Sequence, residues 1–301
     1  MRNLEFSRSS LFSPRSFPAH GVLYVVATPI GNAEDISARA IHILGEVDLI
    51  ACEDTRRTAR LLAVHSIRTP TISYFEHNEA RRIPELVMQL RSGASVGLVT
   101  DAGTPAISDP GYGLVRSAIE AGIRVTAVPG PCAVVTALAV AGLPTDRFAF
   151  EGFLPSKAGD RQRTLARLAR EERTLVIYET ARRLPQLLSE MTSAFGPGRH
   201  LAIVREATKT HEEILRGSLA EITDSLANRD VLGEVTLVIE AARGSGTAGA
   251  SSSREQSRVI DILRAAGLSL KDASAAAAKI THASRRELYQ DALRRERGES
   301  G

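Results

Sequence analysis

The chain has 301 residues, 43% of them apolar, the composition of an ordinary globular protein with room for two domains. No run approaches the roughly 20 apolar residues that a membrane-spanning helix needs. The net charge of +3 hides an asymmetry. Residues 1–20 hold three Arg against one Glu, and residues 254–301 hold ten Lys or Arg against seven Asp or Glu. The body between them carries 25 basic and 27 acidic side chains, so it is near neutral and the basic balance sits at the ends.

Residues 1–20 carry Ser, Pro and scattered Arg but no continuous apolar core, so they read as a disordered extension rather than a secretory signal. From Gly21 to Leu143 strand and helix patterns alternate. Strands are expected at Leu23–Ala27, Asp48–Cys52, Thr71–Tyr74, Ser95–Val99 and Arg124–Val128. Helices are expected at Glu34–Leu44, Thr55–Val64, Glu79–Leu90, Gly113–Ala121 and Ala133–Ala141. Near-continuous apolar strands in such an alternation argue for a parallel sheet covered on both faces.

After Leu143 the rhythm changes. Strands Phe148–Gly152, Leu175–Tyr178 and Leu201–Val204 alternate with helices Gln162–Ala169 and Leu184–Ala194. A strand at Glu213–Arg216, a helix at Leu219–Ala227 and a strand at Val235–Glu240 lack the regular crossover, which implies a mixed sheet in a second domain, 144–242. Residues 243–253 (RGSGTAGASSS) read as a flexible linker. Beyond it, helices at Arg254–Gly267, Leu270–Thr281 and Ser284–Arg294 suggest a small bundle of helix-turn-helix type spanning 254–296.

Three expected strands of the first domain, 21–143, end in Pro/Gly-broken turns: Thr28-Pro29-Ile30-Gly31-Asn32, Thr100-Asp101-Ala102-Gly103-Thr104-Pro105 and Val128-Pro129-Gly130-Pro131-Cys132. In an open parallel sheet the carboxyl edge is where ligands bind, so these turns read as three walls of one pocket or as ordinary strand-to-helix turns. Neither GxxxxGK[ST] nor GxGxxG occurs there, which argues against NTP hydrolysis, a diphosphate-anchored ligand and a nicotinamide-linked dehydrogenase. Glu53-Asp54-Thr55-Arg56-Arg57 offers either a helix cap at Asp54 or Thr55, or a polar pocket wall. His77 in the loop Phe75–Glu79 reads as a surface residue. Cys52 and Cys132 read as buried free thiols, and no Cys/His spacing suggests a metal site. Arg163, Arg167 and Arg170 share one helix face, which is either solvated or phosphate-contacting.

Taken in order, TPIGN, ACEDTR, HNE, DAGTPAISDPGYGLVR, VPGPCAVVTAL, AGLPTDRFAFEGFLP, YET and the segment Arg205 to Glu213 resemble the ribosomal RNA small subunit methyltransferase I family of the tetrapyrrole-methylase-like superfamily. The resemblance covers about residues 21–296. It implies an α/β fold of two domains, a parallel-sheet one and a mixed-sheet one, followed by the helical bundle, with a cofactor held in the cleft. It further implies S-adenosylmethionine-dependent methylation of a cytidine 2′-hydroxyl in the decoding centre of 16S rRNA within the small ribosomal subunit. A homodimer in the cytoplasm, away from membranes, goes with it.

By matching strand ends, the cofactor site would include Pro29, Ile30, Gly31, Asp101, Gly103, Thr104, Pro105 and Ile107. Ala133, Thr136, Tyr178, Ala207 and Glu234 would complete it. Asp54, Glu206 and Lys209 are the candidates for the general base, which stays undecided among them. Arg56, Arg57, Arg161, Arg163, Arg167, Arg285 and Arg286 would contact RNA phosphates. Relatives acting on corrin-type rings often carry Gly-Asp-Pro where this chain has Gly103-Thr104-Pro105, which favours the RNA branch. Two rival readings are methylation of a tetrapyrrole ring by the same fold and a non-enzymatic nucleic-acid-binding regulator. The second lacks an aromatic stacking platform beside its arginines.

Overall fold

A computed structural model describes residues 21–227, 229–242, 250–281 and 285–296. The expected extension 1–20 and linker residues 243–249 lie outside the described residues. By their contacts the chain divides into two units, and the larger, residues 21–166 with 174–240, contains both sheets.

The first sheet consists of β1 (Val22–Val26), β2 (Leu49–Cys52), β3 (Thr71–Ser73), β4 (Val96–Leu98) and β5 (Arg124–Val128). Its order is β3-β2-β4-β1-β5, with every neighbouring pair parallel. Four crossover helices cover it: α1 (Ala38–Glu46), α2 (Thr55–Val64), α3 (Glu79–Arg91) and α4 (Tyr112–Glu120). Leu86, Leu90 and Leu114 pack with Leu23 and Leu98 on one face, while Leu44 and Leu62 pack with Val26 and Ile50 on the other. Burial on both faces explains why these strands read as unbroken apolar runs. The chain moves from β1 outward to β3, returns to insert β4, then passes to β5 beyond β1. The loops after β1, β4 and β5 therefore meet at a switch of direction, where α/β sheets form their ligand crevices.

The second sheet, β6 (Phe148–Phe153), β7 (Thr174–Thr180), β8 (His200–Arg205), β9 (Glu213–Ser218) and β10 (Glu234–Ile239), has the order β6-β7-β10-β8-β9. Only β6 and β7 pair in parallel, so the sheet is mixed, as the irregular spacing after Leu143 suggested. Helix α5 (Ala133–Ala141) follows β5 in sequence yet buries Val134, Ala137, Leu138 and Ala141 against Val176, Ala202, Val204 and Val238 of the second sheet. This packing ties the end of β5 to the neighbouring sheet. Helices α6 (Ala158–Leu168), α7 (Leu184–Phe195) and α8 (Leu219–Leu226) complete the layer, α8 opening with a reciprocal Ser218–Glu221 cap.

The smaller unit, residues 167–173 with the described residues after 240, holds α9 (Ala250–Ala265), α10 (Leu270–Thr281) and α11 (Arg285–Glu296). Ile260, Ala273, Ala277, Leu288 and Ala292 form its core. Gly267 turns the chain between α9 and α10 at φ +89°, a conformation that side chains with a Cβ disfavour. No helix among the described residues is long and apolar enough to cross a membrane.

Four sequence expectations change. The helix expected over Glu34–Leu44 splits into a 3-10 turn, Ala33–Asp35, and α1. Asn32 Oδ1 caps Glu34 N at 3.1 Å and Ser37 Oγ caps Ala40 N at 3.1 Å, so each segment starts at its own cap. Helix α6 begins at Ala158 rather than Gln162, with Asp160 complementing its amino-terminal dipole. Residues 250–253, expected in the linker, are helical. Arg161, expected on the RNA-facing surface, is 5% exposed. Its guanidinium grips both Glu190 carboxylate oxygens at 2.6 and 2.7 Å and donates to the carbonyls of Pro155 and Ser156 at 3.2 and 2.9 Å. No donor face is left for a phosphate. Removing one partner of such a buried pair costs about 3–5 kcal/mol, so Arg161→Met is expected to lower the denaturant midpoint of unfolding strongly. An unchanged midpoint would show that the pair contributes nothing to folding.

Candidate active site

The three Pro/Gly turns are joined to one another before any ligand is considered. Thr28 N donates to Gly103 O at 2.8 Å and Gly103 N returns a bond to Thr28 O at 3.1 Å. The buried Thr28 hydroxyl donates to Thr100 O at 3.0 Å, and Thr104 Oγ1 reaches Pro131 O at 3.2 Å in the turn after β5. Gly103 sits at φ +89°, so only a residue without a Cβ takes this place unstrained. The turns expected to be three walls are thus one stitched edge.

That edge closes one side of a cavity of about 320 Å³, and the second sheet closes the other. Ile30, Asp101, Gly103, Thr104, Ile107 and Ala133 line it from the first side. Tyr178, Glu206, Ala207, Lys209 and Glu234 line it from the second. Tyr178 stacks edge-on against Phe150 at 4.8 Å and lies 5.6 Å from Phe153, which builds an aromatic wall. Burial pushes the Tyr178 phenol up to about 12, so it stays protonated at neutral pH.

Not every expected residue reaches the cavity. Pro29, Gly31, Pro105 and Thr136 do not line it. Gly31 instead abuts the loop after β8, where a Cβ would come within 2.8 Å of Ala207 O. The adjacent Asn32 N donates to Thr208 Oγ1 at 3.0 Å. Asp54 is also off the cavity and takes the cap reading: its Oδ1 accepts from Arg56 N at 2.8 Å and Arg57 N at 3.4 Å. Hydrogen bonding from Arg56 holds its carboxyl below the usual range. Arg57 lies on the cavity rim with Nη1 3.3 Å from Asp101 Oδ2, while Asp54 N donates to Asp101 Oδ1 at 3.0 Å. Arg56, Arg163, Arg167 and Arg285 are exposed, and the Arg286 side chain lies outside the described residues. The loop Phe75–Glu79 is held by its own contacts, with the Tyr74 hydroxyl donating to Glu79 and Asn78 Oδ1 accepting from Phe75 N.

Glu206 and Lys209 form a closed network with Glu234. Glu206 Oε1 accepts from Lys209 Nζ and from Glu234 N, each at 2.9 Å, and Lys209 Nζ donates to Glu234 Oε2 at 3.1 Å. Burial pushes the Glu206 carboxyl up, but the bonds from Glu234 N and Lys209 outweigh it and leave its pKa lowered. Burial likewise opposes the Lys209 charge, yet its two carboxylate partners raise its pKa overall. A cation held this firmly does not act as a base at neutral pH.

Several lining residues were not among the expected ones. Glu53, Ser108, Asp109 and Glu179 also face the cavity. Glu179 is 2% exposed, its Oε1 accepting from Thr180 N at 2.8 Å and its Oε2 lying 3.2 Å from an Arg183 guanidinium nitrogen. The signal for Asp109 was the Ser-Asp-Pro-Gly turn after DAGTP, where φ is +68° at Ala106 and +61° at Ser108. The lining holds six carboxylates, Glu53, Asp101, Asp109, Glu179, Glu206 and Glu234, against two cations, Arg57 and Lys209. Such a cavity favours a cationic ligand and repels a diphosphate. Both thiols are free; Cys52 is buried, and Cys132 is half-buried on the cavity wall. Among the described residues no group of three or more His, Cys, Asp and Glu side chains could hold a metal ion.

Comparison with known proteins gives the same architecture a family. Residues 22–223 match Tetrapyrrole (Corrin/Porphyrin) Methylases, and residues 250–296 match the RsmI C-terminal HTH domain. A ribosomal RNA small subunit methyltransferase I from Pseudomonas aeruginosa is 46% identical over 92% of this chain and 98% of its own length. Its namesake from Xylella fastidiosa is 44% identical over 89% of this chain and 98% of its own length. A solved uroporphyrin-III C-methyltransferase from Thermus thermophilus, complexed with S-adenosyl homocysteine, superposes with a TM-score of 0.51 at 20% identity, covering 73% of this chain and 97% of that one. That likeness concerns the fold. The chain belongs to the ribosomal RNA small subunit methyltransferase I family, within the tetrapyrrole methylases.

Proposed function

We propose that this chain methylates the 2′-hydroxyl of a cytidine ribose in the decoding centre of 16S rRNA, with S-adenosylmethionine as methyl donor. Family membership supports the reaction class, and the acid-lined cavity at the sheet's switch of direction is the observation that carries the donor assignment. S-adenosylmethionine supplies a sulfonium-bound methyl group, an electrophile that needs no further activation. Six carboxylates against two cations suit a positively charged sulfonium, and Gly103 lets the ligand approach backbone. Ile30, Ile107, Ala133 and Ala207 offer apolar contact, while Tyr178 supplies a ring face. Asp101, anchored by Asp54 N and Arg57, is poised to orient the cationic part of the donor.

The protein's contribution to rate is mainly alignment of the ribose oxygen with the methyl group, in a wall whose parts are already joined. Arg57 at the rim and exposed Arg56, Arg163, Arg167 and Arg285 suit phosphate contacts, which position an RNA without reading its sequence. The substrate we assign is rRNA within the small ribosomal subunit, acted on by a homodimer in the cytoplasm. Thr104, in the place where ring-methylating relatives often have Asp, favours RNA over a tetrapyrrole.

Asp101→Ala should weaken S-adenosylmethionine binding measured by calorimetry about 10- to 100-fold, as a lost charge-assisted contact costs roughly 1.5–3 kcal/mol. Unchanged affinity would refute the donor assignment. Deleting residues 244–301 should weaken binding to small ribosomal subunits more than binding of S-adenosylmethionine, and equal loss of both would count against an RNA role for the terminal helices.

A further inference from the structure

Methylation of a ribose hydroxyl releases a proton, and the residues expected to take it are committed elsewhere. Asp54 caps α2 away from the cavity, Glu206 is held ionised by Lys209 and Glu234 N with its pKa lowered, and Lys209 is held protonated. Asp109 differs from all three. It faces the cavity from the loop between β4 and α4, and its hydrogen-bonding neighbour is the hydroxyl of Thr100, which is 3% exposed. That hydroxyl also reaches Glu53 Oε2 at 3.3 Å.

One hydroxyl has one proton and two lone pairs, so it cannot donate to two carboxylates at once. Donation to Glu53 therefore leaves the Asp109 carboxylate open to a proton arriving from the cavity. The backbone just before Asp109 supports this placement. Ala106 and Ser108 adopt φ +68° and +61°, conformations strained for residues other than glycine that persist where structure over-determines them. Ala106 N closes the turn on Pro110 O at 3.3 Å.

We propose that Asp109 is the catalytic proton acceptor of the methyl transfer, with Thr100 and Glu53 as positioning residues that tune it. This rests on the reading that the substrate is a ribose hydroxyl. The hydroxyl oxygen forms a bond to the methyl carbon as the carbon–sulfur bond breaks, its electron pair going to sulfur to leave a neutral thioether. The hydroxyl proton goes to the Asp109 carboxylate and from there to solvent. Burial pushes the Asp109 carboxyl up to about 6 against the Thr100 bond, and the charges of Glu53, Asp101 and Glu234 push the same way. The cavity cations are engaged elsewhere, Arg57 with Asp101 and Lys209 with Glu206 and Glu234. Tyr178, held protonated, adds no charge. A base is effective when its pKa lies near the working pH and when it is deprotonated, so turnover should rise with pH through about 6 and then level.

The test uses the full chain labelled with carboxyl-¹³C aspartate, without cofactor, and follows each carboxyl by NMR across pH. One aspartate should titrate at about 6, disappear in Asp109→Asn and titrate lower in Glu53→Gln, where a repelling charge is gone. Asp109→Asn should still bind S-adenosylhomocysteine, as calorimetry would show. The same variant should slow methyl transfer to small ribosomal subunits about 10²–10⁴-fold. Glu53→Gln should move the midpoint of the pH–rate profile downward, which a purely structural role would not do. Should Asp109→Asn fold poorly, Thr100→Val serves instead, with a slowed transfer and unchanged cofactor affinity expected. Full activity in Asp109→Asn, or an Asp109 carboxyl titrating with the ordinary aspartates, overturns the proposal. A wild-type chain that binds the cofactor but methylates no ribose overturns the functional reading itself.

Discussion

Two backbone hydrogen bonds between Thr28 and Gly103, with the Thr28 hydroxyl on Thr100 O, fasten the end of β1 to the end of β4. Thr28 and Thr100 are both buried, so these bonds are shielded from competing water. Loops at sheet edges are ordinarily the mobile part of an α/β domain. Here the link makes one rigid platform of Ile30, Thr100, Asp101 and Gly103. The placement of Asp101 for the donor and of Thr100 between Glu53 and Asp109 both follow from it.

The opposite wall is rigid for a different reason. The loop after β8 has Glu206 and Thr208 at φ +50° and +65°, and the Glu206–Lys209–Glu234 network holds it against β10. Gly233 has no Cβ, and one there would run into the Glu206 carboxylate. Helix α5 carries the first sheet's last strand end onto the second sheet. The cavity is thus preformed on both sides, and a preformed site loses less free energy to ordering when a ligand enters.

The alternation of strands and crossover helices was legible because burial on both faces leaves unbroken apolar runs, and α2, β5 and α5 fall where the pattern put them. The Pro/Gly turns were legible because such residues favour sharp corners at strand ends, and parts of all three line the cavity. Periodicity did not reveal the break at Ser37, since Ile36, Ala40 and Leu44 keep helical spacing across it. Arg161 misled because a charge in a basic run looks solvated, while its partner Glu190 lies on α7, far along the chain. Asp54 and Glu53 were inseparable as neighbours in sequence; in space one caps a helix and the other faces the cavity. Asp109 lay within a recognised motif, but its chemistry depends on Thr100 and Glu53, which only folding brings together.

A crystal of the full chain soaked with S-adenosylhomocysteine addresses the central claim most directly. The account predicts ligand density between the joined turns and the Tyr178 wall, in contact with Asp101 and Gly103. Density confined to another surface, with this cavity left vacant at a saturating concentration, would contradict it.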